Sequence, residues 1–256
     1  RLSLERDLRL AIERQEFHLC FQPQWEIEGR RLVGWEALLR WNSPTRGTVT
    51  PSDFIPVAED IGLIHQLGQM VLEQACQEAV RWSERNLGEF LISVNLSARQ
   101  FAIGDLATQI EAVLSATGLD PHCLELEITE TVMVENPRRA RDVLSELKSR
   151  GIRVAIDDFG TGYSSLSYLS TFPIDRLKID RSFVASSLND PNAAAIVEAV
   201  ISLARALDMV AIAEGVETEE QRLFLQSQGC HQIQGYLSGA PMRACEIEAF
   251  LNSHHH

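Results

Sequence analysis

The sequence lacks an excess of basic residues. Lysine and arginine together number 23 against 36 aspartates and glutamates, which leaves a formal net charge of −13 at pH 7. Because a nucleic-acid backbone is usually bound by a positively charged face, this balance argues against a DNA or RNA duplex as partner. Most of the acidic excess is expected to be solvated surface.

Paired cysteines and long apolar runs are also missing. The five cysteines include no C-x-x-C pair, which fits the reduced, mostly buried thiols of a cytoplasmic protein. No apolar run is long enough to span a bilayer, and no signal peptide is visible. We therefore expect a cytoplasmic globular domain; a membrane tether, if the whole protein has one, would lie outside this sequence.

The two ends of the sequence indicate a fragment. The chain begins with arginine rather than methionine and ends in Ser-His-His-His. We interpret residues 1–251 as a single domain excised from a longer protein and residues 252–256 as the remnant of a purification tag. No low-complexity linker divides the chain.

Strand-like and helix-like segments alternate after an initial hairpin. The two extended runs within residues 18–41 are joined by Glu28-Gly29-Arg30, a link too short for a parallel crossover, so these strands must be antiparallel neighbours. Six more strand-like segments follow, each flanked by helical sequence, including a short helix after Ser164. Eight strands in about 250 residues predict an α/β fold, a modified (β/α)8 TIM-type barrel with its first strand antiparallel to the rest. An open doubly wound sheet is the structural alternative.

Polar side chains recur at the carboxyl ends of these strands. Side chains alternate between the two faces of a strand, so the aliphatic positions suit packing beneath helices and the polar positions must face the barrel interior. One polar strand end would be explained as a cap or a satisfied core group, but six are not. An α/β barrel places its chemistry at this end. The six residues are Asn95, Glu127, Asp157, Lys178, Glu214 and Gln234.

With Glu36 on the second strand, several carboxylates would converge on one rim. Like charges at short range raise each other's pKa and destabilise the fold, and Lys178 and Arg40 are too few to balance them. Bound divalent cations are the economical solution. An all-oxygen donor set with one amide favours Mg²⁺ or Mn²⁺, and zinc is disfavoured because no histidine lies at a strand's carboxyl end.

The adjacent pair Asp157-Asp158 predicts two cations rather than one. Asp157 can bridge two ions while Asp158 holds one of them. Paired metal ions are a common device for displacement at phosphorus, because they activate the water and stabilise the charge that develops. Lys178 is expected beside the attacking water or the phosphate.

An ordered set of motifs spans nearly the whole chain. Glu36-Ala37-Leu38 lies within EALLRW, and it is followed by SVNLS, LELEITE, IDDFGTGYSSLSYL, LKID, AEGVE and QGY. In order and spacing this set closely resembles the EAL family of cyclic di-GMP phosphodiesterases, whereas the triplet alone would mean nothing. The resemblance implies a barrel with an antiparallel first strand. It also implies hydrolysis of cyclic di-GMP to linear pGpG with Mg²⁺ or Mn²⁺, while Ca²⁺ would bind but support turnover poorly.

The resemblance further implies a role for each matching residue. Lys178 would hold or deprotonate the nucleophilic water, and Glu130 would anchor the loop 158–168, which orders the second metal site. The catalytic set is therefore Lys178, Glu36, Glu214 and Glu130. The metal ligands would be Glu36, Asn95, Glu127, Asp157 and Asp158, with Glu214 binding directly or through water. The substrate-binding set would be Gln22, Arg40 and Gln234, supported by Glu217.

The family also sets expectations about partners. The loop 158–168 contributes to dimer contacts in the family, so we expect a homodimer. No stretch resembles a GGDEF cyclase or a sensory domain, and such domains, if present, would lie upstream of Arg1.

Three alternative functions stay open. The first is an EAL-type module that binds cyclic di-GMP as a receptor without cleaving it, although such modules usually lose metal ligands that this sequence retains. The second is a dinucleotide-dependent oxidoreductase, suggested by Gly160-Thr161-Gly162 and Asp180, although Ser165 occupies the place of the third glycine. The third is a scaffold barrel whose acidic rim is only solvated.

Overall fold

The structure is a computed structural model that describes residues 2–28, 31–102, 105–161 and 169–254. Its strands are β1 (Phe17–Glu26), β2 (Leu32–Ser43), β3 (Gly47–Val49), β4 (Leu91–Leu96), β5 (Leu124–Thr129), β6 (Arg153–Phe159), β7 (Arg176–Ile179), β8 (Val210–Ala213) and β9 (Gln232–Gln234). Its α-helices are α1 (Leu2–Glu13), α2 (Pro51–Asp60), α3 (Ile64–Glu84), α4 (Ala98–Phe101), α5 (Leu106–Thr117), α6 (Glu130–Glu135), α7 (Pro137–Ser149), α8 (Arg181–Ser186), α9 (Pro191–Ala206), α10 (Glu219–Ser227) and α11 (Ile247–His254). Two short 3₁₀ helices cover Pro121–Cys123 and Ala244–Glu246. Among the described helices, none has both the length and the apolar character that crossing a bilayer requires.

Eight of these strands close into a barrel. Their order is β1-β9-β8-β7-β6-β5-β4-β2, pairing of β1 with β2 closes the ring, and β3 pairs with β2 outside it. β1 is antiparallel to both of its neighbours, and the other barrel strands run parallel. The predicted TIM-type barrel with a reversed first strand is therefore confirmed, and the open sheet is excluded. Three parts of the predictions lie outside the described residues: Gly29-Arg30 of the hairpin link, the helix after Ser164 in residues 162–168, and residues 255–256 of the tail.

The outer face of the barrel strands builds the main hydrophobic core. Aliphatic side chains alternate along the parallel strands, and they pack with buried residues of the surrounding helices. This pattern explains the strand sequences, because each strand needs one apolar face towards the helices. The strand residues concerned are Ile92, Val94, Leu126, Ile128, Val154, Ile156, Leu177 and Ile179.

A second core lies beside the barrel mouth. Beyond their barrel contacts, the outer parts of β1 and β2 pair with each other, with His18 opposite Arg40, and form a ribbon that projects past the rim. Under this ribbon, Phe54 of α2 packs edge-on against Trp41 with ring centroids 5.8 Å apart, and it also contacts Phe17 at 5.6 Å. Residues of α1 complete this cluster. The second core therefore holds α1 and α2 against the ribbon.

Removing the ring at the centre of the second core should destabilise the domain. Phe54→Ala is expected to lower the free energy of unfolding by about 3–5 kcal/mol, because the side chain is fully buried. The matched control is Leu223→Ala on α10, where a 52% exposed side chain should cost less than about 0.5 kcal/mol. Denaturant unfolding measures both values, and equal losses would contradict a stabilising role for the second core.

Candidate functional site

Lys178 lies among four carboxylates inside the barrel mouth. Its side chain is fully buried, and Nζ lies 2.6 Å from Glu127 Oε2 and 2.7 Å from Glu214 Oε1. The same nitrogen lies 3.3 Å from Asp157 Oδ1 and 3.5 Å from Glu36 Oε2. We call these four carboxylates the acidic ring. They come from β2, β5, β6 and the residue after β8, so the barrel brings together strand ends that are far apart in sequence.

Burial and mutual repulsion oppose ionisation of two members of the acidic ring. Burial raises the pKa of Glu127 well above its ordinary value, and the charge of Glu36 adds to this effect although Lys178 opposes it. Burial likewise raises the pKa of Glu214 to about 8. The positive charge of Lys178 opposes this rise, and the negative charge of Asp157 adds to it. One ammonium group therefore does not neutralise the acidic ring.

Glu36 and Lys178 are shifted in the opposite sense, towards their charged forms. Burial opposes ionisation of Glu36, but Lys178 and hydrogen bonds from Gln234 and Asn95 outweigh it and lower its pKa. Burial also opposes the charge on Lys178, yet the surrounding carboxylates raise the pKa of this amine well above its ordinary value. The ammonium form of Lys178 is therefore strongly favoured in this arrangement.

The donor atoms of the site fit a hard divalent cation. Glu127 Oε1 is buried and has no hydrogen-bond partner among the described residues. Asp157, Asp158 and Glu214 each offer a carboxylate oxygen, and these oxygens lie within 4.8 Å of one another. An unpartnered buried oxygen and a cluster of oxygen donors are what Mg²⁺ or Mn²⁺ would satisfy.

The backbone turns sharply between the two adjacent aspartates. Asp158 has a φ of 52°, in the left-handed region, and its N–H donates to Asp157 Oδ1 at 3.0 Å. A left-handed aspartate costs on the order of 1 kcal/mol, so the surrounding structure must hold it there. Burial, together with the charges of Asp157 and Asp180, raises the pKa of Asp158 to about 6. The strained turn thus adds another carboxylate beside the acidic ring.

Glu130 holds the segment that follows this turn. It is the first residue of α6, and its buried carboxylate accepts a hydrogen bond from the N–H of Gly160 at 2.8 Å. Gly160 itself has a φ of 99°, which favours glycine. The structure therefore places Glu130 where an anchor for the start of the loop 158–168 was predicted, while residues 162–168 of that loop lie outside the described residues.

Two clefts meet at the acidic ring. The apolar cleft, of about 620 Å³, runs along α2 and α3 and is lined by Ile55, Pro56, Ile64 and Leu67 among others. The polar cleft, of about 490 Å³, lies over the barrel mouth. Both clefts share Leu38, Arg40, Pro51, Asp157 and Asp158.

The polar cleft contains all the residues predicted to bind substrate. Gln22, Arg40, Gln234 and Glu217 line it. Gln234 Nε2 donates to Glu36 Oε2 at 2.5 Å and to Gln22 Oε1 at 3.0 Å. In contrast, among the described residues neither Arg40 nor Glu217 forms an ion pair or hydrogen bond with the acidic ring, so both lie at the edge of the site.

Asn95, the remaining predicted ligand, is exposed and donates from Nδ2 to Glu36 Oε1 at 2.7 Å. This hydrogen bond places the Asn95 amide beside the acidic ring. The other oxygen of Glu36 accepts from Gln234.

The sequence analysis missed two residues of the site region. Tyr236 lines the polar cleft with 67% of its surface exposed, and its place in the QGY motif, two residues after Gln234, was a signal that could have found it. Gln24, which contacts Gln234 from inside the barrel, was also missed. Asp180, which belonged to the oxidoreductase alternative, caps α8 by accepting from the N–H of Ser182 at 2.9 Å. The closed barrel does not support that alternative.

Comparisons with known proteins agree with the motif pattern. The sequence matches the family model described as EAL domain over residues 5–241. An uncharacterized signaling protein of Caulobacter vibrioides is 48% identical over 241 residues, which cover 94% of this chain and 29% of that protein. The bifunctional diguanylate cyclase/cyclic di-GMP phosphodiesterase MucR of Pseudomonas aeruginosa is 43% identical over 248 residues, which cover 97% of this chain and 36% of that protein.

A solved structure has the same fold. The PaMucR phosphodiesterase in complex with c-di-GMP matches with a TM-score of 0.93 at 42% identity, covering 96% of this chain and 99% of that chain. The chain spans about a third of the length of the curated relatives it matches. Since the family model covers most of the sequence and the barrel matches throughout, the chain belongs to the EAL domain family.

Proposed function

We propose that this domain hydrolyses cyclic di-GMP to linear pGpG with divalent cations held at the acidic ring. The observation that carries the proposal is the close approach of four carboxylates to the buried Lys178 at the point where the two clefts meet. Membership of a family that includes MucR, a named cyclic di-GMP phosphodiesterase, supports the choice of substrate.

The cations would be held by oxygen atoms at the barrel mouth. When bound, Mg²⁺ or Mn²⁺ would activate a water molecule and stabilise negative charge on the phosphate. The unpartnered oxygen of Glu127 and the close oxygens of Asp157, Asp158 and Glu214 support this assignment. The proposed ligands are Glu36, Asn95, Glu127, Asp157, Asp158 and Glu214.

Of the two roles expected for Lys178, the geometry supports holding the water or a phosphate oxygen. Its Nζ lies 2.6–3.5 Å from one oxygen of each carboxylate of the acidic ring, which places a hydrogen-bond donor among the proposed ligands. Glu130 supports the same chemistry indirectly, because its bond to Gly160 steadies the turn that carries Asp157 and Asp158.

The substrate would lie across both clefts. Arg40 stands where they meet, and a guanidinium group is well suited to binding a phosphate through two parallel hydrogen bonds. A cleft on each side of this point suits a ligand with two nucleoside halves. Gln22 lies in the polar cleft, where its amide can contact the nucleotide, and the buried Gln234 would support substrate binding through its hydrogen bond to Gln22. The homodimer, the upstream domains and the poor turnover in Ca²⁺ stay predictions.

Product analysis tests the proposed reaction directly. We expect conversion of cyclic di-GMP to linear pGpG in the presence of Mg²⁺, measured by liquid chromatography with mass spectrometry, and none in excess chelator. Asp157→Asn should lower kcat by more than about 100-fold. Loss of a residue that only hydrogen-bonds to a metal ligand costs about 10–100-fold, and Asp157 is proposed to be a ligand itself. Bound but unchanged nucleotide in the wild type would favour the receptor function instead.

Metal binding can be tested on two glutamates of one strand. Glu127 and Glu125 are both buried on β5, and each has one carboxylate oxygen without a partner, but only Glu127 belongs to the acidic ring. Mg²⁺ at about 100 times its dissociation constant should stabilise the wild type by about 2.7 kcal/mol, seen as a rise in Tm. Glu127→Gln should lose most of that rise and Glu125→Gln should keep it; the same rise in both variants would argue against the ligand assignment.

Arg40 is expected to act in binding rather than in chemistry. Arg40→Ala should raise KM by about 10-fold or more, because a charge-assisted hydrogen bond to phosphate is lost, and should leave kcat nearly unchanged. Arg153→Ala is a suitable control, since this exposed arginine begins β6 at the opposite end of the barrel. A loss confined to kcat would show that the assigned role is wrong.

A further inference from the structure

Four polar side chains fill the barrel interior directly below the acidic ring. Ser93, Glu125, Arg176 and Gln24 are at most 3% exposed, and each stands two residues before or after a site residue on the same face of its strand. Ser93 Oγ and Arg176 Nη1 both donate to Glu125 Oε1, at 2.8 and 2.9 Å. We call these four residues the lower layer. Its single arginine and single glutamate pair with each other.

A chain of hydrogen bonds leads from the lower layer to the acidic ring. Arg176 Nη1 donates to Gln24 Oε1 at 2.8 Å, and Gln24 Nε2 donates to Gln234 Oε1 at 3.0 Å. Gln234 Nε2 then donates to Glu36 Oε2 at 2.5 Å. β1 and β7 are not neighbours in the sheet, so the bond between Gln24 and Arg176 crosses the barrel interior. The chain thus links a buried arginine to one carboxylate of the site.

The two ends of this chain determine its direction. An arginine side chain only donates hydrogen bonds, and an ionised carboxylate only accepts them. Each glutamine between them must therefore turn its oxygen towards Arg176 and its nitrogen towards Glu36. If Gln24 were reversed, its NH₂ would face the guanidinium and its oxygen would face Gln234 Oε1. Both glutamines are buried, so water is not available to satisfy a reversed amide.

From this geometry we propose that Gln24 and Arg176 are positioning residues that orient Glu36 for cation binding. The inference rests on the proposed function, because it requires Glu36 to be a metal ligand. Gln234 holds Oε2 of Glu36 while Asn95 holds Oε1, so the plane of the carboxylate is fixed from both sides. Outer hydrogen bonds of this kind orient metal ligands and determine much of their affinity.

Substitution of Gln24 separates this role from simple packing. In Gln24→Glu the new carboxylate has nearly the same shape and still accepts from Arg176, but it has no proton to donate to Gln234. Gln24→Leu removes both hydrogen bonds without adding charge. The control is Ser93→Ala, which removes a hydrogen bond from the same buried layer but contacts neither Arg176 nor the chain to Glu36 in the described structure.

The measurement is titration with Mn²⁺ followed by electron paramagnetic resonance, with Tm in chelator as the check that each variant folds. Both Gln24 variants should bind Mn²⁺ about 10–100-fold more weakly than the wild type, and Ser93→Ala should bind within about threefold of it. Equal weakening in all three variants, or wild-type affinity in the Gln24 variants, would overturn the inference alone. Absence of Mn²⁺ binding by the wild type would instead overturn the proposed function and this inference with it.

Discussion

The close approach of four carboxylates to one buried ammonium group is the constraint on which the rest of this structure depends. Each carboxylate is attracted to Lys178 and repelled by the other three; Glu36 and Glu127 are buried, and Asp157 and Glu214 are partly exposed. The barrel must supply enough hydrophobic packing to hold these charges together. Because the carboxylates come from β2, β5, β6 and the residue after β8, closure of the barrel is what brings the acidic ring together.

The lower layer of the barrel interior stabilises the acidic ring above it without adding net charge. The lower layer pairs Arg176 with Glu125 and so places no net charge beneath the acidic ring. It meets the acidic ring through amide groups, which donate hydrogen bonds without adding a cation that would compete for the carboxylates. Buried polar networks of this kind are costly when a member is unsatisfied. Within the acidic ring and the lower layer, the described contacts leave two such exceptions, one carboxylate oxygen each of Glu125 and Glu127. One of these exceptions lies within the acidic ring.

Much of this architecture could be predicted from the sequence, because alternation along a strand is a local property. This alternation alone predicted that Glu127 and Lys178 lie on the inner face of their strands, before the closed barrel was known. Glu214 was harder, because both faces of β8 are apolar: Ile212, two residues earlier, is paired with the inward-facing Lys178, while Ala211 and Ala213 belong to the outer core. The three residues of β3 are too few to show a period, and α2, with an internal proline, went unrecognised. The contact between Gln24 and Arg176 could not be predicted, since it exists only once strands that are not neighbours face each other across a closed interior.

Helix α1 lies outside the barrel but packs against the projecting ribbon of β1 and β2. Arg40 sits on the part of β2 beyond the barrel rim, between Leu39 and Trp41, which pack into the second core together with Leu8 and Ala11 of α1. A chain that began at Phe17 would keep every strand of the barrel, but its second core would lack Leu8 and Ala11, which pack with the residues on either side of Arg40. Helix α1, which contributes no strand to the barrel, therefore belongs to the structure that supports Arg40 where the two clefts meet.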